Sequence, residues 1–268
     1  MAGPRTSFEL DEALRRRYDL KMDVERTTAT NPVESSVESK VADNIVSPPR
    51  VKRRARWAEL VYLVALSLYA ALATLAHSYA YFGWDLSLAR SIQSVPVPGF
   101  AILMIAVSFL GGWISWPIVV VSSLALIKMG LRKEGLVCIV GTAVGAAVNL
   151  LVKMLVGRPR PTDILINVTR AYRHESFPSG HVVFFIEFFG FLFFLSYVLL
   201  ERGRLRRIVL SVLGVLIALV GVSRVYLGAH WPSDVLGAYL AGGIWLILMI
   251  EVYRRIKERS PKPTPEIR

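Results

Sequence analysis

The stretch "HESFPSGHVVFFIEFFGFLFFLSYVLL", residues 174–200, decides the fold. Its opening residues mix polar and charged groups, a proline-led turn and a histidine, whereas the run from Val182 to Leu200 carries one charged residue, Glu187. That run approaches the roughly 20 residues needed to cross the hydrocarbon core of a bilayer. Nothing in hydrocarbon can satisfy free backbone N–H and C=O groups, so a run of this kind must be helical. A polar, histidine-bearing edge therefore sits at the mouth of a membrane-spanning helix.

Apolar runs of similar length recur on both sides, at about 57–79, 110–128, 135–155, 207–224 and 234–253. With 181–200 they predict an all-α, polytopic helical bundle of about six transmembrane helices. Composition agrees: 54% of residues are hydrophobic and mean hydropathy is +0.48, above the roughly 45–50% apolar share of soluble domains. The interval between Arg90 and Lys128 holds no charged residue and is long for one span. A double crossing would put "KMGLRKE" (128–134) opposite "VKRRARW" (51–57) and break the positive-inside rule at every later loop. One crossing is expected, preceded by an interfacial segment near 97–110, with Gly111, Gly112 and Pro117 permitting a break.

The formal net charge of +12 would suggest a nucleic-acid partner in a soluble chain. Here the cations cluster beside apolar runs, in the two stretches above and in "ERGRLRR" and "YRRIKER", as cytoplasmic loops do. No nucleic-acid binding is expected, and both chain ends are expected on the cytoplasmic side of a cell membrane. Residues 1–52 read as a polar cytoplasmic tail, in which "FELDEALRRRYDL" has weak amphipathic spacing, 53–258 as the membrane-embedded domain and 259–268 as a short second tail. The first thirty residues contain no apolar core of a cleaved signal peptide. Cys138 is the single cysteine, which excludes an internal disulfide. His77, Trp113, Trp116 and Trp231 read as interfacial residues near span ends, Trp231 also as a wall of the site, and Asn149 and Glu187 as sources of interhelical hydrogen bonds.

With six crossings, Lys153, His181, Arg224 and Asp234 all reach one face. Lys153, Arg160 and Arg224 gather positive charge suited to a multiply charged oxyanion, the guanidinium forks matching phosphate oxygens. Ser179 and Gly180 follow Pro178 at a helix start, where free N–H groups and the helix dipole favour an anion. His230 lies four residues before Asp234; a carboxylate beside one imidazole nitrogen leaves the other free to attack. His181 can then protonate a departing oxygen.

Together "KMLVGRPRP" (153–161), "PSGH" (178–181) and "SRVYLGAHWPSD" (223–234) resemble the three-part signature of the type 2 phosphatidic acid phosphatase (PAP2) superfamily, which includes lipid phosphatases, undecaprenyl-diphosphate phosphatases and vanadium haloperoxidases. The resemblance implies a shared helical core, a lipid phosphate or diphosphate as substrate, and no metal or other cofactor. It makes His230 the nucleophile of a phosphohistidine, oriented by Asp234, and His181 the acid that later activates water. Lys153, Arg160, Ser179, Gly180 and Arg224 would hold the phosphoryl oxygens. Arg158 also precedes a proline, but only Arg160 has the family spacing from Lys153. The competing classes, a transporter or a non-catalytic scaffold, would be signalled by a missing motif residue, and none is missing.

Overall fold

The computed structural model describes residues 49–170 and 174–258. The segments read as tails, with the amphipathic stretch of the first, lie outside the described residues up to residue 48 and from residue 259 onward. Contacts divide the chain into Met1–Leu60 and Val61–Arg268. The first unit is described only as the opening turns of one helix, and the remainder of the structure belongs to the second.

Eight helices are described: α1 (Pro49–Ser78), α2 (Gly83–Gln93), α3 (Phe100–Leu110), α4 (Ser115–Lys128), α5 (Arg132–Val156), α6 (Gly180–Leu199), α7 (Arg204–Tyr226) and α8 (Pro232–Glu258). Five of them, α1 and α5–α8, are long and apolar enough to cross a membrane. The pair α3 and α4 forms a sixth candidate, bent by 60°. The break falls at Gly111–Ile114, beside the two glycines expected to permit it. Residues 97–110, expected as an interfacial segment ahead of the crossing, instead hold the helix α3, which meets the length and apolarity of a span only together with α4.

The protein is thus an integral membrane helical bundle, and α6 is its centre. In its most apolar window 56% of residues are buried, against 28% or less in the other candidate spans. Within α6 the stretch Phe185–Phe189 widens into a π turn. Its rings pack on one another, Phe184 against Phe188 at 5.5 Å and Phe185 against Phe189 at 4.9 Å between centroids. Small residues let the neighbouring helices approach, as membrane bundles require in place of a hydrophobic driving force. At Gly141 of α5 a Cβ would lie 2.5 Å from Met249 of α8, and there Trp245 Nε1 donates to the Gly141 carbonyl at 3.0 Å. Large apolar side chains such as Ile102, Val121 and Leu155 face outward, as lipid contact demands.

At one end of the bundle Lys257 of α8 pairs with Glu134 of α5 at 2.6 Å, and Tyr253 donates to the same carboxylate at 2.9 Å. The three motifs lie at the opposite end, where α5 and α7 finish and α6 and α8 begin.

Candidate active site

Two glycines shape this end. Gly157 adopts φ +64 and closes α5, its N–H donating to the Lys153 carbonyl at 2.9 Å. The chain then reverses and sends Arg158 inward. Gly228, also at φ +64, presses on the backbone of Asn167 and forms the turn that presents His230. Gln93 of α2 braces the turn, donating to the carbonyls of Asn167 at 2.7 Å and Tyr226 at 3.0 Å.

The deepest layer is a buried ionic cluster. Arg158, 1% exposed, donates to Asp234 Oδ1 at 2.6 Å, to Ser233 Oγ at 2.7 Å and to Asp85 Oδ2 at 3.0 Å. Asp85 comes from α2 and also accepts from the Ser233 N–H at 2.8 Å and the Ser233 hydroxyl at 2.7 Å. Asp234 Oδ2 accepts from the Trp231 N–H at 2.9 Å and from the Ser176 hydroxyl. Both carboxylates are fully buried; such charges are tolerated only when paired and hydrogen-bonded.

His230 lies on top of this layer, 2% exposed. Its Nδ1 is 3.6 Å from Asp234 Oδ2, longer than a hydrogen bond, whereas Arg160 Nη1 is 3.2 Å from its Nε2. A guanidinium can only donate, so Nε2 carries the lone pair and the proton belongs on Nδ1, the nitrogen nearer Asp234. Burial, reinforced by Arg160, Lys153 and Arg224, holds the imidazole well below its usual titration range. At neutral pH it is the uncharged base.

The other expected residues gather around it. Lys153 Nζ donates to the Glu175 carbonyl at 2.8 Å and to that of Ser176 at 3.3 Å. Arg160 also reaches the carbonyls of Ala229 at 2.6 Å and His174, and Arg224 donates to the Ser108 hydroxyl. Lys153, Arg160 and Arg224 act electrostatically on both His230 and His181. Ser179 stands at the N-cap of α6, fully buried, its hydroxyl without a partner among the described residues. Gly180 begins the helix with Asn149 and Lys153 close beside it. The His181 ring packs on Gly111 at the α3–α4 bend, where a Cβ would stand 2.7 Å from the ring.

All eight candidate residues therefore converge on one end of the bundle. Sequence reasoning missed the layer beneath them: Arg158, Asp85, Ser176 and Ser233. A signal existed for Asp85, the one acidic residue between Glu59 and Glu134. Other expectations need correction. Trp231 is 1% exposed and stacks on Tyr81 at 5.1 Å; its neighbours His230 and Asp234 draw it into the core and away from an interfacial belt. Exposed Trp113 and Trp116 suit such a belt. His77 bonds the Val156 carbonyl at 2.9 Å, and among the described residues neither the Glu187 carboxyl nor Asn149 Oδ1 makes the expected interhelical hydrogen bond.

Comparison with known proteins gives a consistent picture. Residues 134–258 match the family model described as the PAP2 superfamily. A putative undecaprenyl-diphosphatase of Escherichia coli, YbjG, is 33% identical over 44% of this chain, and the match spans 63% of its own length. Phosphatidylglycerophosphatase B of Bacillus subtilis is 25% identical over 71% of this chain and 94% of its own. The fold matches the crystal structure of the transmembrane PAP2 type phosphatidylglycerolphosphate phosphatase of Bacillus subtilis. There the TM-score is 0.65 at 24% identity, covering 74% of this chain and 98% of the other.

Proposed function

We propose that this integral membrane protein, whose residues 134–258 match the PAP2 superfamily model, hydrolyses a lipid phosphate or diphosphate through a phosphohistidine on His230. The observation that carries the proposal is the placement of His230: its Nε2 is 3.2 Å from the Arg160 guanidinium, where a phosphoryl group would be held.

In the first step Nε2 of His230 attacks phosphorus and the bond from phosphorus to the leaving oxygen breaks. Lys153, Arg160, Arg224 and the first N–H groups of α6 stabilise charge on the equatorial oxygens. His181 donates its proton to the departing oxygen. As N–P bonding makes the imidazole cationic, the Nδ1 proton strengthens its interaction with Asp234 Oδ2; hydrogen bonds that are long in a ligand-free site commonly tighten at this stage. In the second step His181 takes a proton from water, the hydroxyl attacks phosphorus, the N–P bond breaks and inorganic phosphate leaves. A hydrocarbon tail can stay in lipid throughout, since the site lies at one end of the apolar bundle. The basic residues Lys128, Arg132 and Lys133, and Arg204, Arg206 and Arg207, stand at the other ends of the same helices. By the positive-inside rule this supports an active site facing away from the cytoplasm of a cell membrane.

The test is phosphate release from phosphatidate and undecaprenyl diphosphate by purified protein in detergent with EDTA, together with acid-labile phosphate trapped on the protein. His230→Ala is expected to abolish both signals. Turnover by His230→Ala at the wild-type rate would refute the proposal.

A further inference from the structure

A cavity of about 270 Å³ opens beside the phosphate seat, lined by His181, Gly180, Glu187, Ser115, Thr142 and Asn149 among others. Three of these side chains lack the partners that buried polar groups normally have. Thr142 Oγ1 and Asn149 Oδ1 are buried without a hydrogen bond. Glu187, 2% exposed in the π turn of the most enclosed helix, has no hydrogen-bonding or ionic partner among the described residues. Its carboxyl occupies the space that a side chain at Gly145 would fill, 2.3 Å from that Cβ position. π turns recur at functional positions, and an ionisable residue at span depth calls for a function.

Resting on the reaction proposed above, we infer that this cavity is a hydrogen-bonding subsite for the glycerol ester portion of the lipid leaving group. In an in-line displacement the leaving oxygen departs opposite His230, on the side of its proton donor, His181. The atoms that follow that oxygen then enter the cavity His181 lines. A glycerol ester brings ester oxygens that accept hydrogen bonds, and the donors here are the Thr142 hydroxyl, the Asn149 amide N–H and the O–H of Glu187 as a neutral acid, the form that a buried carboxyl without an ionic partner takes. A prenyl chain brings none and would leave all three groups buried and unsatisfied. Across Asn149 and Glu187 lies a second cavity of about 180 Å³, walled by Val152 and Ile244, which suits the start of an acyl chain.

The experiment compares kcat/KM for dioleoyl phosphatidate and farnesyl monophosphate, two monophosphates differing beyond the leaving oxygen, in the same detergent. The wild type is expected to favour phosphatidate. Glu187→Leu, Asn149→Leu and the near-isosteric Thr142→Val should each lower the phosphatidate-to-farnesyl ratio about tenfold per lost bond, chiefly through KM, and Glu187→Gln should retain most of it. An unchanged ratio, including a parallel fall on both lipids, would overturn the subsite alone. Should a leucine variant not fold, Thr142→Val decides the matter. Wild-type protein inert on both lipids would overturn the phosphatase reading and the subsite with it.

Discussion

Replacing Arg158 with leucine should damage the protein more than any change to its partner Asp85, and the asymmetry follows from counting charges. One guanidinium, within 2.6 Å of Asp234 and 3.0 Å of Asp85, stands between two fully buried carboxylates. Arg158→Leu strands both, and breaking a buried ion pair by removing one member costs about 3–5 kcal/mol. For a domain of this size 1 kcal/mol corresponds to about 2–4 °C in Tm, so a fall of about 6–20 °C is expected. Asp85→Asn removes one negative charge and leaves Arg158 balanced by Asp234, held also by Ser233 and, at 3.3 Å, by the Tyr79 carbonyl. Its cost should be near that of one hydrogen bond, about 1 kcal/mol, or about 2–4 °C. Tryptophan fluorescence during heating in detergent measures both, and phosphate release at a temperature where both variants remain folded reports on Asp234. Arg158→Leu should also lower kcat, because Asp234 Oδ1 loses its anchor. An Arg158→Leu protein melting with the wild type, or an Asp85→Asn protein melting below Arg158→Leu, would refute the reasoning.

Two further outcomes test the site. Because burial and the surrounding cations hold His230 well below its usual range, its protonation should not limit kcat/KM near pH 6.5. Activity dependent on the neutral ring should persist into more acidic solution, and Arg160→Gln should move the acid limb upward when both profiles are recorded on the same substrate. The same sign applies to stability: the unfolded chain takes up this proton more readily, so stability falls as pH drops below about 6.5. An acid limb unmoved by Arg160→Gln would contradict this. Gly228→Ala places a Cβ 2.1 Å from the Asn167 carbonyl oxygen at φ +64, and should cost about 1–3 kcal/mol and lower kcat by shifting His230. Gly243→Ala, mid-helix with nothing within 4 Å, is the control and should leave Tm unchanged or slightly raised in the same assay.

The spans were legible in the sequence because hydrocarbon imposes a local rule: a helix must be apolar along its whole length, so each run announces itself. The α3–α4 break was legible for the same reason, since Gly111 and Gly112 interrupt an uncharged stretch too long for one straight crossing. The partners of buried charges obey no local rule. Asp85 and Arg158 are 73 positions apart and meet only because α2 folds against the start of α8. The resemblance to the family's motif selected Arg160 and gave no role to Arg158, which follows the left-handed turn at Gly157 and is buried. Glu187 illustrates the converse. A carboxyl within a span suggested an interhelical bond, yet the π turn directs it at Gly145 and into a cavity, and neither feature can be read from "FFIEFFG".

That division of labour between the two arginines accounts for how the bundle can keep a cationic pocket at its end. Were every cation left to its neighbours, the like charges of Lys153, Arg158, Arg160 and Arg224 would repel one another in a medium that screens little. The two buried carboxylates bond Arg158, the innermost of the cations, directly, while Lys153, Arg160 and Arg224 reach carbonyl and hydroxyl oxygens nearer the opening. These three cations act electrostatically on His230 and His181, where a phosphoryl group would enter. Asp234 joins the layers, one oxygen on Arg158 and the other shared among Ser176, Trp231 and the approach to His230. Any change that frees Arg158 from Asp234 must therefore alter both the charge offered to the substrate and the aim of the imidazole.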